Sequence, residues 1–166
     1  MSQINISVKK KIIANRGNIF CSILILLFFF IDRLTKSKIL SNYNEETVFI
    51  NNFINIDLAW NTGIGFGLLS SNSSLIYEVT SVLIGVIILV IFYMSLFSNY
   101  FLKFFYSLII GGALGNFYDR LTFKAVPDFL DLHYNNFHWF TFNVADIFIT
   151  IGIIGFIIDG GFNKKI

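Results

Sequence analysis

Asp128 and Asp146 are the residues of this chain best placed to do chemistry. Both sit beside long stretches that are otherwise almost free of charge. A carboxylate at bilayer depth costs roughly 2.5–3.5 kcal/mol on insertion scales, so a chain that keeps two of them has a use for them. Two carboxylates held close together share a proton, one acting as base and the other as acid. The chemistry expected of such a pair is hydrolysis by an aspartyl dyad.

Other polar residues are spaced to support that pair. Asn143 lies three residues before Asp146, on the same helical face. An acid in the first turn of a helix is also an ordinary cap, so capping and catalysis both remain open for Asp146. Pro127, the only proline, restrains the backbone just before Asp128. Asn116, Asp119 and Arg120 bring an amide, a carboxylate and a guanidinium within about one turn of helix. Arg120 has the fork geometry that orients a carboxylate or a phosphate. Asp32 and Lys36 are spaced i,i+4 and can pair on one helix face; alone, they read as an interfacial ion pair closing a helix. Asn61-Thr62-Gly63-Ile64-Gly65-Phe66-Gly67 is either a backbone cradle or a flexible loop. It lacks the Lys-Ser/Thr of a P-loop. Gly111 and Gly115 form a small-xxx-small pair suited to close helix packing, with Gly112 between them. His133 and His138 have no HExxH or cysteine pair beside them, so no metal is expected, and no organic cofactor. Cys21, the lone cysteine, lies inside an apolar run and reads as a small hydrophobe.

The elements that must position these residues follow from composition. Hydrophobic residues make up 55% of the 166, charged residues 13%, and the mean hydropathy is +0.72. A soluble domain of this size has no way to bury so much apolar surface, so the bilayer is the expected solvent. The net charge of +2 is too small to suggest nucleic acid. Four stretches are long enough to cross a membrane, at about 18–34, 75–97, 101–118 and 140–158. The first has the basic flank of a signal peptide (Lys9, Lys10, Lys11, Arg16) but is followed by Asp32-Arg33 rather than a small-residue cleavage site, so it reads as a retained helix. Those four cations, with Lys103, Lys164 and Lys165, favour both termini in the cytoplasm. Outer loops then span about 35–74 and 119–139. Residues 48–60 alternate in part and predict short strands on the membrane surface. Tyr43, Trp60, Tyr134 and Trp139 suit the headgroup level. The expected architecture is an all-α membrane protein: four transmembrane helices with a small extracytoplasmic β-rich loop domain, in a single integral-membrane domain, 1–166. Nothing in the sequence demands an oligomer.

Taken in order, Asp32…Lys36, Asn61-Thr62-Gly63-Ile64-Gly65-Phe66, Gly111-Gly112-Ala113-Leu114-Gly115-Asn116-Phe117-Tyr118-Asp119-Arg120, Val126-Pro127-Asp128-Phe129 and Phe142-Asn143-Val144-Ala145-Asp146 resemble bacterial lipoprotein signal peptidase, or signal peptidase II. Each motif alone is weak; the ordered set covers nearly the whole chain. The resemblance implies an aspartyl endopeptidase of the inner membrane that cuts diacylglyceryl-modified prolipoproteins just before the lipid-bearing cysteine. It implies a catalytic pair at Asp128 and Asp146. It implies supporting or substrate-contacting roles for Asp32, Lys36, Asn61, Gly112, Asn116, Asp119, Arg120 and Asn143. The implied partners are lipid-modified precursors and membrane lipids. Gly65 stands where the family usually has alanine, and Pro127 where it has an aliphatic residue. Two other classes remain: a small transporter, whose polar residues would spread through the membrane depth, and a non-catalytic assembly partner using Gly111 and Gly115.

Overall fold

The computed structural model describes residues 15–42, 46–63, 74–135 and 137–159, with only the backbone described at 74–76. The basic N-terminal residues Lys9, Lys10 and Lys11, the terminal Lys164 and Lys165, Tyr43, Gly65 and Gly67 lie outside the described residues.

The chain is mostly helical with one small antiparallel sheet. Helix α1 (Arg16–Asn42) is followed by strands β1 (Val48–Asn51) and β2 (Ile54–Asn61), then helices α2 (Ser74–Leu96) and α3 (Tyr100–Phe123). Strands β3 (Val126–Tyr134) and β4 (Phe137–Phe142) lead into helix α4 (Val144–Ile158). The sheet order is β1-β2-β3-β4. It joins the two stretches expected as separate outer loops.

Three expected boundaries move. Helix α1 continues past Leu34 to Asn42, because Lys36, a polar residue that ends the apolar run, is buried against partners from another helix. Helix α3 continues through Asp119 and Arg120 to Phe123, where Lys124 closes it in the left-handed conformation at φ 56°. The fourth helix starts at Val144 rather than Phe140, because Phe137–Phe142 is strand. That strand is rich in aromatic and β-branched side chains, which fit a pleated surface. Asn135, at φ 52°, turns β3 back into β4. Among the described residues, two helical stretches are long and apolar enough to cross a membrane, Arg16–Asn42 and Tyr77–Leu96.

Helix α3 packs against α1 and α4, and glycines on α3 set how close they come. A Cβ on Gly111 would meet Phe28 Cβ at 2.7 Å and the Ile25 carbonyl oxygen at 2.9 Å on α1. A Cβ on Gly112 would meet the Ala145 carbonyl oxygen at 2.5 Å on α4. Near the other end, Cys21, Ile25, Ile88, Leu102, Tyr106 and Ile110 form a buried apolar cluster. Lys103, also buried, donates to the Ser95 carbonyl and, at 3.1 Å, to the Leu96 carbonyl, satisfying the last turn of α2. The outward faces are apolar, with Val79, Val82, Val86 and Val90 exposed on α2 and Ile154 and Ile158 on α4. So much exposed apolar surface belongs in lipid.

Gly112→Ala should force α3 and α4 apart, because the obstructing atom is backbone and has no rotamer to change. Overpacking of this kind costs about 1–3 kcal/mol. The expected outcome is a melting temperature in detergent lower by several degrees; an unchanged value would show that the two helices do not touch there.

Candidate active site

Strand pairing delivers Asp128. β2 and β3 slip register between Ile56 and Ala59, and Asp128 then stands opposite Ala59 with Asn61 opposite Val126. Asn61, at the end of β2, donates its Nδ2 to Asp128 Oδ2 at 2.9 Å. Its own Oδ1 accepts from the Gly63 N–H at 2.9 Å, which fixes which way the amide faces. Asp128 is only 3% exposed.

Helix capping delivers Asp146. Asn143 is the N-cap of α4, and its Oδ1 accepts from the Asp146 N–H at 3.2 Å. Asp146 Oδ2 in turn accepts from the Asn143 N–H at 3.1 Å, completing a capping box. Capping thus uses one carboxylate oxygen and leaves the other, Oδ1, which accepts from Asn116 Nδ2 at 2.8 Å. Asn143 also donates Nδ2 to Asp128 Oδ1 at 2.6 Å. One fully buried asparagine therefore holds both carboxylates, that of Asp128 through its side-chain N–H and that of Asp146 through its backbone N–H, while its Oδ1 accepts from the Asp146 backbone N–H.

Behind this pair lies a buried cluster of charges. Lys36 Nζ meets Asp32 Oδ2 at 3.0 Å, Asp119 Oδ2 at 2.7 Å and Asn116 Oδ1 at 2.8 Å. Arg33 pairs with Asp119 and lies 4.7 Å over the Tyr118 ring. Asp32 Oδ1 accepts from the Ala145 N–H at 3.1 Å, tying α1 to the first turn of α4. Taken alone, the spacing of Asp32 and Lys36 read as an interfacial pair closing a helix; both are fully buried. Arg120, read from sequence as a fork for an anion, donates instead to the Asn116 carbonyl at 3.2 Å and the Gly63 carbonyl at 2.9 Å. It braces the segment after β2 against α3.

The sequence-selected polar residues Asp32, Lys36, Asn61, Asn116, Asp119, Arg120, Asp128, Asn143 and Asp146 all converge here, with Gly112 on the adjoining helix contact. Sequence reasoning passed over Arg33 and Tyr77, whose hydroxyl donates to the Arg120 carbonyl at 2.9 Å. Only the adjacency of Arg33 to Asp32 hinted at the first; the contact of Tyr77 is to a backbone oxygen and leaves no pairing pattern in the sequence. Gly63, singled out in the glycine-rich stretch for its backbone N–H, donates it to Asn61 Oδ1 and offers its carbonyl to Arg120. The histidines stand apart on the sheet: His138 Nδ1 contacts Asp131 Oδ2 at 2.6 Å, and the His133 and His138 rings are 5.5 Å apart. Among the described residues, no group of three His, Cys, Asp or Glu side chains is placed to hold a metal ion. An apolar groove of about 260 Å³ reaches Asp146, walled by Leu132, Phe140 and Phe142 of the sheet and by Ile147 and Ile151 of α4.

Residues 24–162 match the family model described as signal peptidase (SPase) II. The chain is 49% identical over 156 residues to the lipoprotein signal peptidase of Pelagibacter ubique (strain HTCC1062), covering 91% of this chain and 94% of the relative. It is 41% identical over 130 residues to the lipoprotein signal peptidase of Anaplasma phagocytophilum (strain HZ), covering 76% and 80%. In three dimensions it is similar to a bacterial membrane enzyme solved by the in meso method at 2.3 Å, with TM-score 0.69 and 28% identity. That match covers 89% of this chain and 93% of the other.

Burial, and after it the negative charge of Asp146, push the Asp128 carboxyl up from 3.8 to about 6. A carboxyl raised in the folded state contributes stability below its free value and loses that contribution as the pH climbs through its folded value. The melting-temperature difference between Asp128→Asn and the parent should therefore move in favour of the variant as the pH rises from about 4 to about 7. A difference that stays constant across that window would show that Asp128 titrates normally.

Proposed function

Because the chain belongs to the signal peptidase II family, we propose that Asp128 and Asp146 form the aspartyl dyad of a membrane-embedded endopeptidase. Its substrates are diacylglyceryl-modified prolipoproteins, and it cuts the signal peptide away just before the lipidated cysteine. The observation that carries this reading is the Asn143 bridge, 2.6 Å to Asp128 and a capping box to Asp146. Two acids, Asp128 buried and Asp146 half-buried, that are joined by one residue are held as a unit.

The chemistry needs one carboxylate and one carboxylic acid. The carboxylate removes a proton from a water molecule as its oxygen attacks the scissile carbonyl carbon. The acid protonates the carbonyl oxygen, giving a tetrahedral diol. On collapse the newly protonated acid gives its proton to the leaving nitrogen, the C–N bond breaks, and the other carboxylate recovers a proton from a diol hydroxyl. The dyad ends with the single proton it began with. Asn61, Asn116 and Asn143 keep both carboxylates in register through the cycle.

Four helices span the membrane in this reading, α1, α2, α3 and α4, with the sheet on the outer side and both termini in the cytoplasm. The exposed Trp60, Tyr134 and Trp139 on the sheet support a seat at the headgroup level. The diacylglyceryl chains stay in lipid, and the groove beside Asp146 accepts apolar side chains of the precursor. The gathering of the buried polar groups around the ends of β3 and α4 favours a hydrolytic site over an ion path, which would distribute them through the bilayer. One chain supplies every group of the dyad, so it works as a monomer in the bacterial inner membrane.

The decisive experiment is cleavage of a synthetic lipidated precursor by the purified protein in detergent. Asp128→Asn and Asp146→Asn should each lose activity by about 10²–10⁴-fold or more, the scale of a lost proton-transfer group. A chelator should leave the parent rate unchanged. Substantial turnover by either variant would remove that residue from the dyad.

A further inference from the structure

The reaction above runs with either carboxylate ionised, but the surroundings of the two acids differ. Lys36 Nζ is an ammonium with donors and no lone pair; it lies 3.0 Å from Asp32 Oδ2 and 2.7 Å from Asp119 Oδ2, and it donates to Asn116 Oδ1 at 2.8 Å. An ammonium admits only an acceptor, so Asn116 must present its oxygen to Lys36. Its NH2 must then face Asp146, where it donates at 2.8 Å. The reversed amide would set N–H against N–H at one end and oxygen against oxygen at the other. Lys36 thus selects, from 80 residues away in sequence, which end of Asn116 meets the dyad.

Asp146 is also the acid in the first turn of α4, receiving the Asn143 N–H at the positive end of the helix dipole. The charged groups around it come from every packed element. Lys36 and Asp32 belong to α1, Arg120 and Asp119 to α3, and Asp128 to β3. Asp128 sits on a strand, without a helix end; among the described residues its hydrogen bonds come from the side-chain amides of Asn61 and Asn143, and Lys36 reaches it by charge alone.

We propose that Lys36 is a positioning residue that, acting through Asn116, makes Asp146 the ionised member of the pair and leaves the shared proton on Asp128. Asp146 is then the base that takes the proton from water, and Asp128 the acid that protonates the carbonyl oxygen. This rests on the aspartyl reading of the site.

The test is the pH profile of kcat/KM for a lipidated precursor, in the parent and in Asn116→Ala, Asn61→Ala, Lys36→Met and Lys36→Met/Asn116→Ala. Asn116 serves Asp146, and Asn61 serves Asp128. With Asp146 ionising first, Asn116→Ala raises the acidic limb by about one pH unit, the scale of a lost hydrogen bond to a charged group, and leaves the basic limb in place. Asn61→Ala raises the basic limb instead. The reversed pattern would overturn the assignment, as would identical shifts in both variants. Lys36→Met should raise the acidic limb as Asn116→Ala does, and the double variant should shift it less than the sum of the two. Additive shifts would overturn the relay through Asn116. Should Lys36→Met fail to fold, the Asn116 and Asn61 pair still decides which acid is ionised. The charge-balanced pair Asp32→Asn/Lys36→Met, with and without Asn116→Ala, then reads the relay while the Arg33–Asp119 ion pair stays in place. If the parent itself fails to cleave the precursor, the proposed function falls, a result distinct from any of these shifts.

Discussion

A positive charge with no access to solvent organises this molecule. Lys36 is fully buried, and a lone ammonium there would be untenable. It is tolerated because two buried carboxylates and an amide oxygen surround it, from α1 and α3. Removing one partner of such a pair generally costs about 3–5 kcal/mol, which makes the cluster an all-or-none assembly. Through Asp32 it also reaches the first turn of α4. Three helices are therefore locked together at the level of Asp128 and Asp146, and the geometry of the two acids inherits that rigidity.

The cluster is compatible with lipid-facing helices only because glycine lets the backbones come close. A Cβ at Gly115 would lie 2.3 Å from Asp32 Oδ2, and one at Gly112 would lie 2.5 Å from the Ala145 carbonyl oxygen. In a bilayer, where apolar faces gain little by meeting one another, small residues and polar contacts decide which helices associate. Here both devices fall on the same face of α3. The sheet supplies the remaining constraint. It turns two connections into one surface, and the register slip between Ile56 and Ala59 sets Asp128 opposite β2 at the point where Asn61 can reach it.

Much of this was readable from the chain. The apolar stretches at 75–97 and 101–118 agree with α2 and α3 to within a few residues at most boundaries, because hydropathy and length report helices well when charges are scarce. The strands within 48–60 were visible in their alternation. The β3–β4 hairpin was not, although Phe129 to Tyr134 alternates and Asn135 favours a left-handed turn. Its aromatic second strand reads equally well as the start of a membrane helix, since an apolar run of that length has no period that separates the two. The true end of α1 was hidden for a related reason. Thr35, Lys36, Ser37 and Lys38 look like the end of a span unless one knows that Asp119 and Asn116 await Lys36 from another helix.

Residue type and order determined the membrane setting, the helical framework and the set of polar groups able to act together, because composition, hydropathy and motif spacing are local properties. What the tertiary structure alone decided is the wiring among those groups. Asn143 caps a helix and bridges to a strand; Asn116 accepts from a lysine and donates to an acid; Arg120 braces two backbone carbonyls rather than gripping an anion. Hydrogen bonds between residues 15 to 113 positions apart depend on helix approach and strand register, and no local pattern encodes either.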